Sequence, residues 1–156
     1  MNNLFDTTVA IGEDRQFVFE NIAKCNKLVF EDICCYTYER RDGSAMDKIF
    51  SEKNVVNYNV AKNMCEYVIE HFEEEKLQTV AKCHLVRSAY KTLEKLDMCK
   101  DAKNSYKELR KDLYKVVREF RLRDASGILS NRHVFAIFLM KYIPWIYIML
   151  CKVLDV

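Results

Sequence analysis

From residue 54 onward, apolar residues recur along this chain three and four positions apart. Residues 54 to 73 carry Val56, Val60, Met64, Tyr67 and Val68 on one face. Residues 76 to 98 carry Leu77, Val80, Ala81, His84, Leu85, Ser88, Ala89 and Leu96. Residues 103 to 123 carry Tyr106, Leu109, Leu113, Val116, Val117 and Phe120. Each is a helical stripe wide enough to pack on a neighbour. A weaker stripe, Phe17, Val18, Ile22 and Cys25, predicts a helix over 13–25. Glu13 and Asp14 fall in its first turn, where the helix dipole favours acidic groups. Gly12 lets the chain turn sharply into it.

Residues 27 to 40 change period. "KLVF" is short, apolar and partly β-branched, and "CCYTYER" alternates, with Tyr36 and Tyr38 on one face. Both read as short strands. "RRDGSAM" follows as a polar loop with Asp-Gly at its centre. The pattern predicts a mainly α chain. It has a bundle of about four to five helices and a short two-stranded β element near residues 27–40.

"DASGILSN", 124 to 131, breaks the helical pattern, and Ser130 or Asn131 can cap what comes next. The segment from His133 to the end is the most apolar part of the chain. Three readings of it are open: the central helix of a bundle, an interfacial helix with Trp145 and Tyr147 at headgroup depth, or a membrane span, in that order. Lys141 and Pro144 oppose the span. A lysine at the bilayer centre costs about 2.5–3.5 kcal/mol, and proline kinks a helix. Within a longer protein the interfacial reading gains weight, with residues 133–154 meeting a membrane surface.

Composition narrows the function classes. Half of the 156 residues are hydrophobic and 31% are charged, an ordinary globular balance. The net charge of +2 gives no argument for a nucleic-acid partner. Gly (3) and Pro (1) are scarce, which agrees with long helices. The 103–123 helix has a basic face interleaved with Glu108, Asp112 and Glu119. Such a face is usually solvated, with anionic lipid headgroups as the lesser alternative. The opening "MNNLFDTTVA" is not the pattern of a signal peptide. Seven cysteines without a C-x-x-C then read as reduced, buried thiols in a cytoplasmic protein. Cys65, Cys83, His84 and Cys99 fit no structural-zinc spacing, so no metal site is assigned. His84 sits on an apolar stripe and reads as a satisfied core histidine. No phosphate-binding glycine loop, nucleophile elbow or H-E-x-x-H occurs.

The first third carries more. Phe5, Gly12-Glu13-Asp14, Phe17, the apolar Leu28–Phe30, Tyr36, Tyr38 and Arg40-Arg41-Asp42-Gly43-Ser44 follow one another in order. This set, over residues 4 to 46, resembles the closing part of the catalytic domain of family 2 glycosyltransferases. The resemblance implies transfer of a sugar from a nucleotide diphosphate to an acceptor hydroxyl, with inversion. Asp14 matches the family's catalytic base, which must reach within about 2.6–3.2 Å of the attacking hydroxyl. Glu13 would orient Asp14 or hydrogen-bond the acceptor. Arg40, Arg41 and Ser44 would meet the departing diphosphate, for which the planar guanidinium is suited.

Members of that family place a nucleotide-binding α/β half first, with a D-x-D motif holding a divalent metal, Mn or Mg. This chain has no D-x-D. The resemblance therefore implies that residues 1–46 close a catalytic domain whose N-terminal, nucleotide-binding part lies elsewhere. Residues 47–156 form a helical extension packed on it. The chain alone is expected to be inactive. Its parent would act in polysaccharide or glycolipid synthesis, in the cytoplasm or at the inner face of the plasma membrane. A reading from a different class stands beside this one. The chain would be a stand-alone helical interaction module, and its G-E-D merely a helix start.

Overall fold

The computed structural model describes residues 13–34, 37 and 50–153. Among them the chain forms α1 (Glu13–Ile22), α2 (Glu52–His71), α3 (Glu75–Met98), α4 (Lys100–Ser105), α5 (Lys107–Glu119), a 3-10 turn (Leu122–Ala125), α6 (Asn131–Tyr142) and α7 (Pro144–Val153). The mainly α expectation holds. There are more helices than the four to five predicted, because two periodic stretches are interrupted. The 103–123 stretch breaks at Tyr106 (φ −113°, ψ 40°) and ends at Phe120 (ψ 132°). The C-terminal stretch breaks at Ile143 (φ −140°, ψ 59°). Ile143 precedes Pro144, whose ring bars the preceding residue from the helical region.

The β element is not supported. Residues 27–34 form no strand, and Leu28, Val29, Phe30 and Ile33 are exposed, Phe30 by 83%. A short strand is stable only with ladder partners and a covered face, and this segment has no such cover. Most of the second expected strand, residues 35, 36 and 38–40, lies outside the described residues.

The bundle is organised around α3. Its 24 residues contain no Gly or Pro, so it runs unbroken. Cys83, Val86, Ala89, Tyr90, Leu93 and Leu96 are all buried, with Leu113 and Val117 of α5 and Ala136, Ile137 and Met140 of α6 in the same core. Complete burial of a leucine or isoleucine stabilises by about 1.5–3 kcal/mol each. α2 lies antiparallel to α3 through residues 72–74, where the Gln78 side-chain amide donates to the Phe72 carbonyl (2.8 Å). α3, and not the C-terminal segment, is thus the central helix. Of α7, only Cys151 is buried.

Four polar residues along α3 tie it to four different helices. His84 meets Arg15 of α1 (3.0 Å). The Tyr90 hydroxyl lies 2.6 Å from His133 Nδ1 of α6. Glu94 accepts a hydrogen bond from Tyr147 of α7. Asp97, with its side chain 2% exposed, accepts from Arg110 Nε (2.6 Å) and the Tyr114 hydroxyl (2.9 Å) of α5. The Tyr114 hydroxyl is pushed up to about 12, by burial first and then by the Asp97 charge. In turn, α2 and α5 are joined by Asp112, which accepts from Tyr58 (2.8 Å) and Lys62 (3.2 Å).

Lys141 has a specific task. Its ammonium donates to the Phe120 carbonyl at the end of α5 (2.8 Å), where helical carbonyls lack backbone partners. Among the described residues no helix is long and apolar enough to cross a membrane. Gly127 takes φ +74° in the turn leading to α6, a conformation that costs glycine little. Ser130 precedes α6, but its side chain makes no cap bond. Of the cysteines expected to be buried, Cys65, Cys83 and Cys151 are, and burial pushes each thiol up, whereas Cys99 is half-buried and Cys25 and Cys34 are exposed.

Removing the Asp97 carboxylate strips Arg110 and Tyr114 of their shared acceptor. Asp97→Ala is expected to destabilise the chain by about 3 kcal/mol, read as a lower urea midpoint. A loss under about 0.5 kcal/mol would show that α5 docks by apolar packing alone.

Candidate functional site

The site indicated by the sequence begins at the N-terminus of α1. Glu13 is the first helical residue, and Asp14 follows with its side chain exposed. Asp14 Oδ1 accepts the Arg15 backbone N–H at 2.7 Å. That satisfies one of the amides left unpaired at a helix start. Arg40, Arg41 and Ser44 lie outside the described residues.

Arg15 holds this helix in place. Its Nη2 donates to Asn57 Oδ1 of α2 (2.5 Å), and its Nη1 lies 3.0 Å from His84 Nε2 of α3. Guanidinium nitrogens only donate, so His84 Nε2 accepts and carries no proton. Burial, followed by the nearby charges of Arg15 and Arg87, pushes His84 down to about 4. Burial is also the main cause lowering Arg15, with Asp14 acting in the opposite direction. Arg15 Nε is buried without a partner. The cation is thus tolerated by two acceptors and one adjacent carboxylate.

Apolar support for α1 is thin. Phe19 meets the Tyr67 ring edge-on at 5.5 Å. Gln16, Phe19 and Glu20 of α1 and Val60, Met64 and Tyr67 of α2 line an open cleft of about 190 Å³. Asp14 does not line it. Of the stripe expected to pack, Val18, Ile22 and Cys25 are exposed, while Phe17 is half-buried. α1 instead turns Arg15 and Phe19 toward the bundle. Sequence reasoning missed Arg15, because it assigns a charged residue beside two carboxylates to solvent. Its partners lie 42 and 69 positions away, and no local signal marks them.

Cys65, Cys83, His84 and Cys99 do not come together. Among the described residues no group of three or more His, Cys, Asp or Glu side chains is placed to hold a metal ion.

The tie between Arg15 and His84 predicts a pH response. His84 titrates near 6.5 when unfolded and near 4 when folded. Between these values the unfolded chain binds the extra proton, so stability is fully present above about pH 6.5 and falls toward pH 4. With partial exposure allowed for, the loss is on the order of 1–2 kcal/mol. His133, lowered mainly by burial, adds in the same direction. Urea melts at pH 7 and pH 5 should differ by this amount. His84→Gln keeps an acceptor for Arg15 without titrating, and should shrink the difference. An unchanged difference would place its origin elsewhere.

Comparison with protein-family models, with curated proteins and with solved structures gives no match for this chain.

Proposed function

We propose that this chain is the acceptor-side, C-terminal part of an inverting nucleotide-sugar glycosyltransferase that elongates a polysaccharide or glycolipid. The ordered motifs from Phe5 to Ser44 suggest the reading. The observation that carries it is the placement of Asp14: an exposed carboxylate on the first turn of a helix fixed to α2 and α3 by Arg15.

In this reading Asp14 takes the proton of the acceptor hydroxyl. The oxygen attacks the anomeric carbon from the face opposite the nucleotide. The bond from that carbon to the diphosphate oxygen breaks as the new bond forms, and the diphosphate leaves with the electron pair. Glu13 orients the acceptor, and Arg40, Arg41 and Ser44 meet the diphosphate. The donor-binding part supplies the Mn or Mg site, because this chain has no D-x-D. Residues 27–40 gain a strand partner there, which would cover Leu28, Val29, Phe30 and Ile33. Residues 1–46 then belong to the catalytic domain, with 47–156 as its helical extension. The parent enzyme is placed in the cytoplasm.

The alternative is a stand-alone helical interaction module without catalysis. The exposed apolar residues of α6 and α7 favour it.

Two measurements separate them. Titration of this chain with uridine and guanosine diphospho-sugars in Mn²⁺ should give no micromolar binding, since the donor site is expected elsewhere. Micromolar binding would contradict the fragment reading. In the parent enzyme Asp14→Asn should lower kcat at least about a hundredfold, the usual scale for loss of a general base. Undiminished transfer would return Asp14 to the role of a helix start.

A further inference from the structure

α6 and α7 each carry a row of exposed apolar residues. Phe135, Phe138 and Tyr142 lie three and four positions apart on α6, and Trp145, Met149 and Val153 lie four apart on α7. All six are exposed: Phe135 by 61%, Trp145 by 67% and Val153 by 74%. Their inner faces are fixed to the bundle by His133 on Tyr90, Lys141 on the Phe120 carbonyl and Tyr147 on Glu94. The outward face is therefore held in place and does not result from loose packing.

Charge distinguishes this face from an ordinary oligomer contact. From Asn131 to Val153 there is no Asp or Glu, and the charged residues are Arg132, Lys141 and Lys152. Arg132 and Lys152 are exposed at the two ends. An open cleft of about 650 Å³ continues from the α6–α7 junction onto α5. It is lined by Arg110, Lys111, Tyr114, Lys115 and Arg118, with Glu119 and Pro144. Arg110 is already engaged by Asp97, whereas Lys115 and Arg118 are exposed. The apolar row and the cationic cleft thus meet at Pro144, next to Trp145.

We propose that α6 and α7 dock flat on an anionic phospholipid surface. Trp145, Met149 and Phe138 enter the headgroup–acyl boundary, and Arg132, Lys115, Arg118 and Lys152 meet lipid phosphates. Aromatic rings flanked by cations are the composition that settles at this depth. Each helix is too short to span a bilayer, so the mode is interfacial. This inference does not depend on the glycosyltransferase reading.

Trp145 is the only tryptophan, so its emission reports directly on the surface. The chain is mixed with vesicles of phosphatidylcholine alone or with about one-third phosphatidylglycerol. The expected result is flotation and a blue shift of Trp145 emission with the anionic vesicles, both reduced by salt. Lys115→Gln and Arg118→Gln should each weaken binding about fivefold. Met149→Ser with Phe138→Ser, both exposed and so compatible with folding, should abolish flotation while the thermal melt stays unchanged. Equal partitioning to neutral and anionic vesicles would overturn the proposal. So would the absence of flotation together with a dimer that the serine pair dissociates, because the face would then be a contact between copies.

Discussion

The burial of α3 constrains everything else in this fold. On a helix covered over most of its circumference an unmatched buried polar group costs about 1–3 kcal/mol, a cost that Ser88 Oγ incurs. His84, Tyr90, Glu94 and Asp97 nevertheless lie along it, and each finds its partner on a different helix. Apolar contacts supply most of the stabilisation but are tolerant of sliding. The polar ties are directional, so they fix which helix sits where along α3. Asp97 is the strictest case. Its side chain is almost fully buried, and a carboxylate there requires Arg110 and Tyr114 on one particular turn of α5.

The two ends of the chain differ in how firmly they meet this hub. α5 and α6 contribute Leu113, Val117, Ile137 and Met140 to the core as well as a polar tie. α1 contributes no residue to that core. It is held by Arg15 on two acceptors and by Phe19 on Tyr67. A helix of ten residues has little stability of its own, so α1 belongs to the part of the molecule that opens most easily. This bears on the proposed role of Asp14 as a base. On that proposal Asp14 keeps its place only while Arg15 stays bound to Asn57 and His84, so a group outside the chemistry would govern the geometry of the base.

Much of the fold is legible in the sequence where apolar period alone decides. α2 and α3 emerge within two residues of their observed ends, because long stripes without Gly or Pro admit one reading. Pro144 marks the break between α6 and α7 for a steric reason that needs no tertiary context. The failures share a different cause. α1 is rotated away from its apolar stripe, leaving Val18 and Ile22 exposed and Phe17 half-buried, because a guanidinium with two remote acceptors sets its orientation. The strands at 27–40 follow from β-branched and alternating residues, yet such patterns describe a surface that a neighbour must complete. Lys141 looks like an interruption of an apolar run and is instead a cap on another helix. Of the candidate site, Asp14 at a helix start is readable from G-E-D. The trio Arg15, Asn57 and His84 is not, because sequence separation hides it.

A last constraint joins the core to the surface. α6 and α7 form one nearly continuous apolar stretch, but α3 and α5 can cover only part of its circumference. Ala136, Ile137, Leu139 and Met140 occupy the covered part. Phe135, Phe138, Tyr142, Trp145 and Met149 are left outside, although burying any of them would gain about 1.5–3 kcal/mol. The bundle has no further helix among its described residues to place over them. Contiguous apolar patches of this kind are uncommon on monomers unless they serve as contact surfaces. The charge around the patch then decides among candidates. There is no carboxylate from Asn131 to Val153, and the cleft alongside is lined by lysine and arginine with Glu119, so the same face of a second copy would bring like charge here. An anionic surface would meet mostly positive charge, with Glu119 the exception in the cleft.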